Sequence, residues 1–124
     1  MVLKIFSKKE LGDLGEGIAK KFLKSRGLKF IESNFKFKNK EIDLIFCDKK
    51  NKIIVFVEVK TRTGKIYGEP ERAINSYKQL NVRQAAKVFL MKNDEFENYD
   101  RRFDSVSVFM GNDKPEINHI ENAF

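Results

Sequence analysis

The run Ile53-Ile54-Val55-Phe56-Val57 narrows what this chain can fold into more than any other segment. It is wholly apolar, rich in β-branched residues, and bounded by Lys49-Lys50-Asn51-Lys52 before and Thr61-Arg62-Thr63-Gly64 after. That pattern describes a strand covered on both faces. The run closes on Glu58-Val59-Lys60. Side chains alternate across a strand, so Glu58 and Lys60 share the face of Ile54 and Phe56, roughly 7 Å apart along the chain. An apolar face thus ends in two opposite charges, and burying an acid there needs a reason.

The rest of the pattern supplies elements to cover that strand. Ser7-Lys8-Lys9-Glu10 has the form of a capping box, and Leu11, Leu14, Ile18 and Phe22 follow at helical spacing, which predicts a helix over about 8–26. Gly12, Gly15 and Gly17 each cost that helix roughly 1 kcal/mol against alanine, so packing must hold it, and close backbone approach is one explanation. Glu16 lies opposite the Leu11 stripe, beside Gly12, Ala19 and Leu23. Residues 28–38 alternate in part and predict a first strand with an irregularity at Ser33-Asn34. Residues 41–47 predict a second strand and 53–60 the third, which together make an antiparallel meander. Thr61 to Pro70 is a glycine-containing loop, Pro70 suits a helix start, and Ser76-Tyr77-Lys78-Gln79 is a second capping box for a helix reaching about Asn93. Asn93 to Asp100 reads as a loop, Phe103 to Met110 as a strand, Gly111-Asn112-Asp113 as a turn, and Ile117 to Ile120 as a short last strand. The order α-β-β-β-α-β, with one further short strand at the end, predicts an α/β domain spanning residues 1–124, a mixed central sheet flanked by helices.

Charge points to an anionic partner. The chain carries 25 Lys plus Arg against 18 Asp plus Glu, a formal net charge of +7. A lysine-rich surface serves solubility as readily as nucleic-acid binding, so charge alone does not decide between them. Cys47 has no partner cysteine and lies in an apolar stretch, which predicts a buried small residue in a reducing compartment. The sole histidine, His119, would have to serve as its base were it a catalytic thiol. No stretch approaches the roughly 20 apolar residues of a transmembrane helix and no signal-peptide core is present, so a cytoplasmic protein without membrane association is expected.

Two acids on facing strands give the charge a chemistry. Asp43 and Glu58 fall on neighbouring antiparallel strands, where facing side chains converge within about 5 Å, and the Val59 carbonyl offers a third oxygen. Mg²⁺ and Mn²⁺ prefer such oxygen ligands, with water filling the remaining positions. Glu16, entering from the first helix, is placed to complete or extend the set. Lys60 fits a group that positions an attacking water or stabilises a pentacovalent phosphorus. Lys78 shares a helical face with Val82, Ala85 and Phe89, at the mouth of which it approaches either phosphate or a nearby acid. Taken singly, each of these residues is as well explained as a surface charge or an ion pair. Asp104, on the parity of Val106 and Val108, is better read as a strand cap or a partner of an arginine such as Arg62. The combination reads as a metal-dependent nuclease site, with Arg62, Lys78, Lys40, Lys65 and Arg83 as the candidate phosphate contacts.

Gly15-Glu16 with Ala19, Asn34, Glu41-Ile42-Asp43-Leu44-Ile45, Phe56 to Arg62, Tyr67-Gly68, Lys78, Ala86, Arg102-Phe103-Asp104 and the closing Ile117 to Phe124 resemble, in order, the bacterial YraN-like family. The resemblance implies a restriction-endonuclease-like core of the PD-(D/E)XK type, similar to archaeal Holliday-junction resolvases. It implies Asp43, Glu58 and Lys60 as the catalytic motif, Glu16 as the associated helix acid, and Lys78 as the later helix motif. Lys40 stands where that family commonly has glycine before Glu-Ile-Asp, which bears on the turn and not on Asp43. The expectation is a Mg²⁺- or Mn²⁺-dependent endonuclease acting on DNA, with branched or junction DNA of repair or recombination as substrate and a homodimer by the same analogy. Recognition through backbone phosphates is expected, since no major-groove reading motif is present. A non-catalytic nucleic-acid-binding module of the same fold and an RNA-directed nuclease are the alternatives.

Overall fold

The computed structural model describes residues 6–63, 75–111 and 114–124. The loop after Thr63, the helix start at Pro70, Tyr67-Gly68, Lys65 and most of the turn at Asn112-Asp113 lie outside them. The elements run α1 (Lys8–Ser25), β1 (Lys29–Phe37), β2 (Lys40–Asp48), β3 (Ile53–Thr63), α2 (Ser76–Lys92), β4 (Asp100–Met110) and β5 (Glu116–Ile120), with a short 3₁₀ turn at Asp94–Phe96. The strands form one mixed sheet in the order β1-β2-β3-β4-β5. β1, β2 and β3 make the expected antiparallel meander, β3 and β4 are parallel, and β5 returns antiparallel. Among the described residues no helix is long and apolar enough to cross a membrane.

β3 is the axis of the fold. Ile54, Val55, Phe56 and Val57 are fully buried, and their alternation divides the core in two. Ile54 and Phe56 pack with Ile45 and Cys47 beneath Val82, Ala85, Ala86 and Phe89 of α2. Val55 and Val57 pack with Leu44, Phe46, Val106 and Val108 against Ala19 and Leu23 of α1. The helices therefore lie on opposite faces, and Cys47 is a buried core residue, as its setting in the sequence predicts.

Three local readings are corrected. β3 continues through Thr61-Arg62-Thr63, which pair with Val108-Phe109-Met110, because a parallel neighbour satisfies the backbone of a polar segment that alone reads as loop. The α2 cap is Asn75, whose side chain accepts from the Lys78 N–H at 2.8 Å, one residue ahead of the expected Ser76 box. Asp104 has the expected structural role of bridging an arginine, but the arginine is Arg102 and not Arg62. Arg102, two residues away on the same face, donates to both its oxygens at 2.9 Å. His119 Nε2 lies 2.8 Å from Oδ2, and the Asn122 N–H donates to Oδ1 at 3.2 Å. This buried carboxylate ties β5 and the closing residues to β4.

α1 starts at the predicted Ser7–Glu10 capping box, and its C-terminal turn closes on Gly27 at φ 89. Its buried residues are Gly15, Ala19 and Leu23, a seam of mostly small side chains between the Leu11 stripe and Glu16, while Leu14 is exposed. Of the three glycines in α1, close approach explains Gly15 alone. A Cβ there would run into the Thr61 hydroxyl and lie 2.7 Å from Thr61 Cγ2 and 2.8 Å from its Cβ, whereas Gly12 and Gly17 face open space. Gly15→Ala is therefore expected to destabilise the fold by about 1–3 kcal/mol in urea unfolding. Thr61→Ala in the same chain should recover part of that loss, and simple additivity of the two substitutions would contradict the contact.

Burial opposes ionisation of Asp104, but the hydrogen bonds of His119 and Arg102 outweigh it and hold the carboxyl below its ordinary pKa. A depressed native pKa contributes stability above the unfolded value near 3.9, and that contribution is lost as pH falls through the native one. Asp104→Ala should cost about 3 kcal/mol at pH 7, since it leaves Arg102 and His119 facing a void. The gap between variant and wild type should narrow in unfolding curves taken below pH 3, and a gap independent of pH would refute the electrostatic account.

Candidate active site

The site forms where β2 and β3 part. Their ladder runs from Asp48↔Ile53 to Leu44↔Val57 and ends there, although β2 continues to Lys40 and β3 to Thr63. The next pair would be Asp43 and Glu58. In place of a ladder bond, Asp43 Oδ2 accepts from the Val59 N–H at 2.8 Å. The N–H and C=O of one strand residue lie along the same edge, so the Val59 carbonyl also faces the gap. Asn34, opposite Asp43 on β1, takes a left-handed conformation at φ 55, the irregularity expected at Ser33-Asn34. A further register shift sits between Phe30 and Glu32.

An open cavity of about 690 Å³ occupies this gap, and Glu16, Asp43, Glu58, Val59, Arg62 and Lys78 are among its walls. α1 delivers Glu16 through the close approach of Gly15 to Thr61. α2 delivers Lys78 from its first turn, and Lys78 Nζ lies 3.4 Å from Glu58 Oε1. Of the two alternatives for Lys78, the acid partner is the one present. Glu58 is 9% exposed, and its buried Oε2 has no hydrogen-bond partner among the described residues apart from the Asp43 carboxyl, with which Glu58 shares a proton when protonated.

Three carboxyls in one gap resist ionisation together. Burial, followed by the charge of Asp43, pushes Glu58 up to about 8 against the opposing attraction of Lys78. Burial and then Asp43 raise Glu16 to about 7. Asp43 is itself raised by burial, in spite of the Val59 N–H and the charge of Lys78. With its amide nitrogen turned toward the acids, Asn34 donates to Glu16 Oε1 at 3.2 Å and to Glu41 Oε1 at 2.8 Å. Such a cluster carries more negative than positive charge when ionised, an imbalance that a hard cation would offset.

Among the described residues no three acid, cysteine or histidine side chains converge as a ready-made metal cage. Asp43, Glu58 and the Val59 carbonyl suit a cation that keeps several waters, the habit of Mg²⁺. Glu16 stands back, coupled to Asp43 by charge. Lys60 lies two residues beyond Glu58 on the same side of β3, partly buried, and does not itself line this cavity. The other cations of the sequence reading separate from this cavity. Lys40 sits at the β1–β2 turn, 5.8 Å over the Phe37 ring, and Arg83 packs on Phe103 at another cavity. Asn34 was legible only as a strand irregularity and as part of the family resemblance, and its contacts with the acids show themselves once β1 is beside α1.

The family model described as "Uncharacterised protein family UPF0102" matches residues 15–108, a span holding Glu16, Asp43, Glu58, Lys60 and Lys78. The chain is 42% identical over 125 residues to a UPF0102 protein of Caldanaerobacter subterraneus subsp. tengcongensis, covering 98% of this chain and 100% of that one. It is similarly 41% identical over 116 residues to a UPF0102 protein of Geobacter metallireducens, covering 94% and 93%. A UPF0102 protein of Alkaliphilus metalliredigens is 42% identical over 116 residues, covering 94% and 98%. The chain therefore belongs to UPF0102, the family that its motifs resemble under the YraN-like name.

Proposed function

We propose that this protein is a Mg²⁺- or Mn²⁺-dependent nuclease that hydrolyses phosphodiester bonds of DNA, with a restriction-endonuclease-like core of the PD-(D/E)XK type. The observation that carries the reading is the crowding of the buried Glu58 and Asp43 carboxyls at the point where two strands part. Two acids of raised pKa and a carbonyl in a cavity rimmed by Lys78 and Arg62 are an arrangement with a use for a divalent cation and an anionic ligand. A surface ion pair between Glu58 and Lys78 would not require Glu58 to be buried or a second carboxyl to crowd it.

Asp43, Glu58 and the Val59 carbonyl would hold the cation, with Glu16 acting on Asp43 through charge. Bound there, the cation would supply Lewis acidity, favouring hydroxide near neutral pH and offsetting charge on the scissile phosphate. Lys60 orients the attacking water and donates to the phosphoryl oxygens. Lys78 exchanges its carboxylate partner for phosphate when substrate enters, and Arg62 holds a neighbouring phosphate from the end of β3. Because recognition of this kind follows the backbone, DNA shape matters more than base sequence. Branched or four-way-junction DNA of repair or recombination is the substrate by analogy with the archaeal resolvases, and a homodimer would cut its two strands.

Linear, single-stranded, flapped and four-way-junction DNA, each with Mg²⁺, Mn²⁺ or EDTA, tests the reading. Metal-dependent cutting is expected, and Glu58→Gln or Lys60→Ala should lower it at least about a hundredfold. Lys78→Ala should cost roughly tenfold. If every substrate stays intact while the wild type binds junction DNA equally well with EDTA or metal, and Glu58→Gln leaves that binding unchanged, the protein is a binding module and the catalytic reading fails.

A further inference from the structure

The described residues form a second cavity, of about 530 Å³, walled by Arg83 and Lys87 of α2, Arg101 and Phe103 of β4, and Asn122 and Phe124 of the closing segment. It lies on the sheet face of Glu58, because Phe103 packs with Ile54 and Phe56 beneath α2 and Glu58 follows Phe56 by two residues. Phe103 stacks on Phe56 at 5.4 Å and 25°. The Arg83 guanidinium carbon then lies 4.6 Å from the Phe103 ring centre and 6.0 Å from that of Phe124. A guanidinium thus tops an aromatic column rooted in the core.

Arg83, Lys87 and Arg101 are all exposed, and among the described residues no carboxylate forms a salt bridge with any of them. Three cations around one concavity repel each other until an anion enters. The column adds a second requirement. Unpaired bases stack on aromatic rings and on guanidinium planes, and each stack is worth about 1–3 kcal/mol. An acidic peptide would use the cations and leave the column idle, whereas a nucleotide uses both. α2 separates the two cavities: Lys78 and Lys87 are about 13 Å apart along the helix and on opposite sides of it, so a strand of a few nucleotides serving both must pass around α2.

We infer that this cavity seats an unpaired stretch of the nucleic acid whose scissile phosphate lies at Asp43 and Glu58, with a base against the Arg83–Phe103 column and phosphates against Lys87 and Arg101. The inference rests on the nucleic-acid reading proposed above and specifies its substrate, a nucleic acid with a single-stranded segment beside the cut. Asn122, whose N–H is committed to Asp104, offers its side-chain amide to the edge of the base.

The test is fluorescence anisotropy of the full chain in EDTA with two probes of equal length and charge, a single-stranded DNA oligonucleotide and an abasic phosphodiester chain. Wild type is expected to bind the DNA at least tenfold more tightly, and Arg83→Gln should bring the two affinities together. Lys87→Gln with Arg101→Gln, both exposed positions that spare the core, should weaken both probes and lower the slope of log K against log salt by roughly 1.4. Equal affinity of the wild type for the two probes, or a double variant with the wild-type salt slope, overturns the inference. Since no cleavage is read, base-dependent binding without nuclease activity would fail the catalytic reading and leave this one standing. Cleavage by a wild type that does not distinguish the probes would do the reverse.

Discussion

The candidate active site depends on one missing pair of rungs. β2 and β3 hydrogen-bond as far as Leu44 and Val57 and then separate. A sheet that opens in its interior leaves backbone groups unsatisfied, at a cost of about 1–3 kcal/mol each when buried. Asp43 meets part of that cost by taking the Val59 N–H. The same hydrogen bond fixes the carboxylate in the gap, opposite Glu58, and leaves the Val59 carbonyl at the same edge. Structure and candidate chemistry are therefore one constraint, because the residue that repairs the sheet is also the residue that supplies the oxygen.

The two helices convert that gap into a site. α1 approaches so closely at Gly15 that any side chain would meet Thr61, and the next residue is Glu16. α2 is capped by Asn75 three residues before Lys78, so the ammonium enters from a fixed first turn and meets Glu58. The raised Glu16, Asp43 and Glu58 carboxyls record how much negative charge has been brought together against the offset from Lys78. A protein core has no use for such a cluster. The proposed cation and phosphate would give it one.

The sequence made the sheet legible where hydrophobicity was unambiguous. Ile53 to Val57 reads as a doubly buried strand because nothing else accommodates it, and the meander follows from turn residues at Asn39 and Asn51. Thr61 to Thr63 was illegible because a parallel neighbour some 47 residues on, Val108 to Met110, makes a polar segment into strand. The buried seam of α1 was hidden because Gly15 and Ala19 carry little hydrophobic signal, and the Leu11 stripe beside it carries more. Asp43, Glu58 and Lys78 could be gathered from spacing and alternation. Asn34 bridging two acids and Arg102 with His119 around Asp104 are cross-strand or cross-layer relations that no local pattern encodes. Lys40 and Arg83, picked for charge alone, separate from the site for that same reason.

Anomalous diffraction from crystals of the protein grown with Mn²⁺ tests the central claim most directly. A peak is expected between the Asp43 and Glu58 carboxylates and the Val59 carbonyl, with Lys78 displaced from Glu58 and no peak in Glu58→Gln crystals. Crystals at millimolar Mn²⁺ without density there, the Glu58–Lys78 pair unchanged, would contradict the claim.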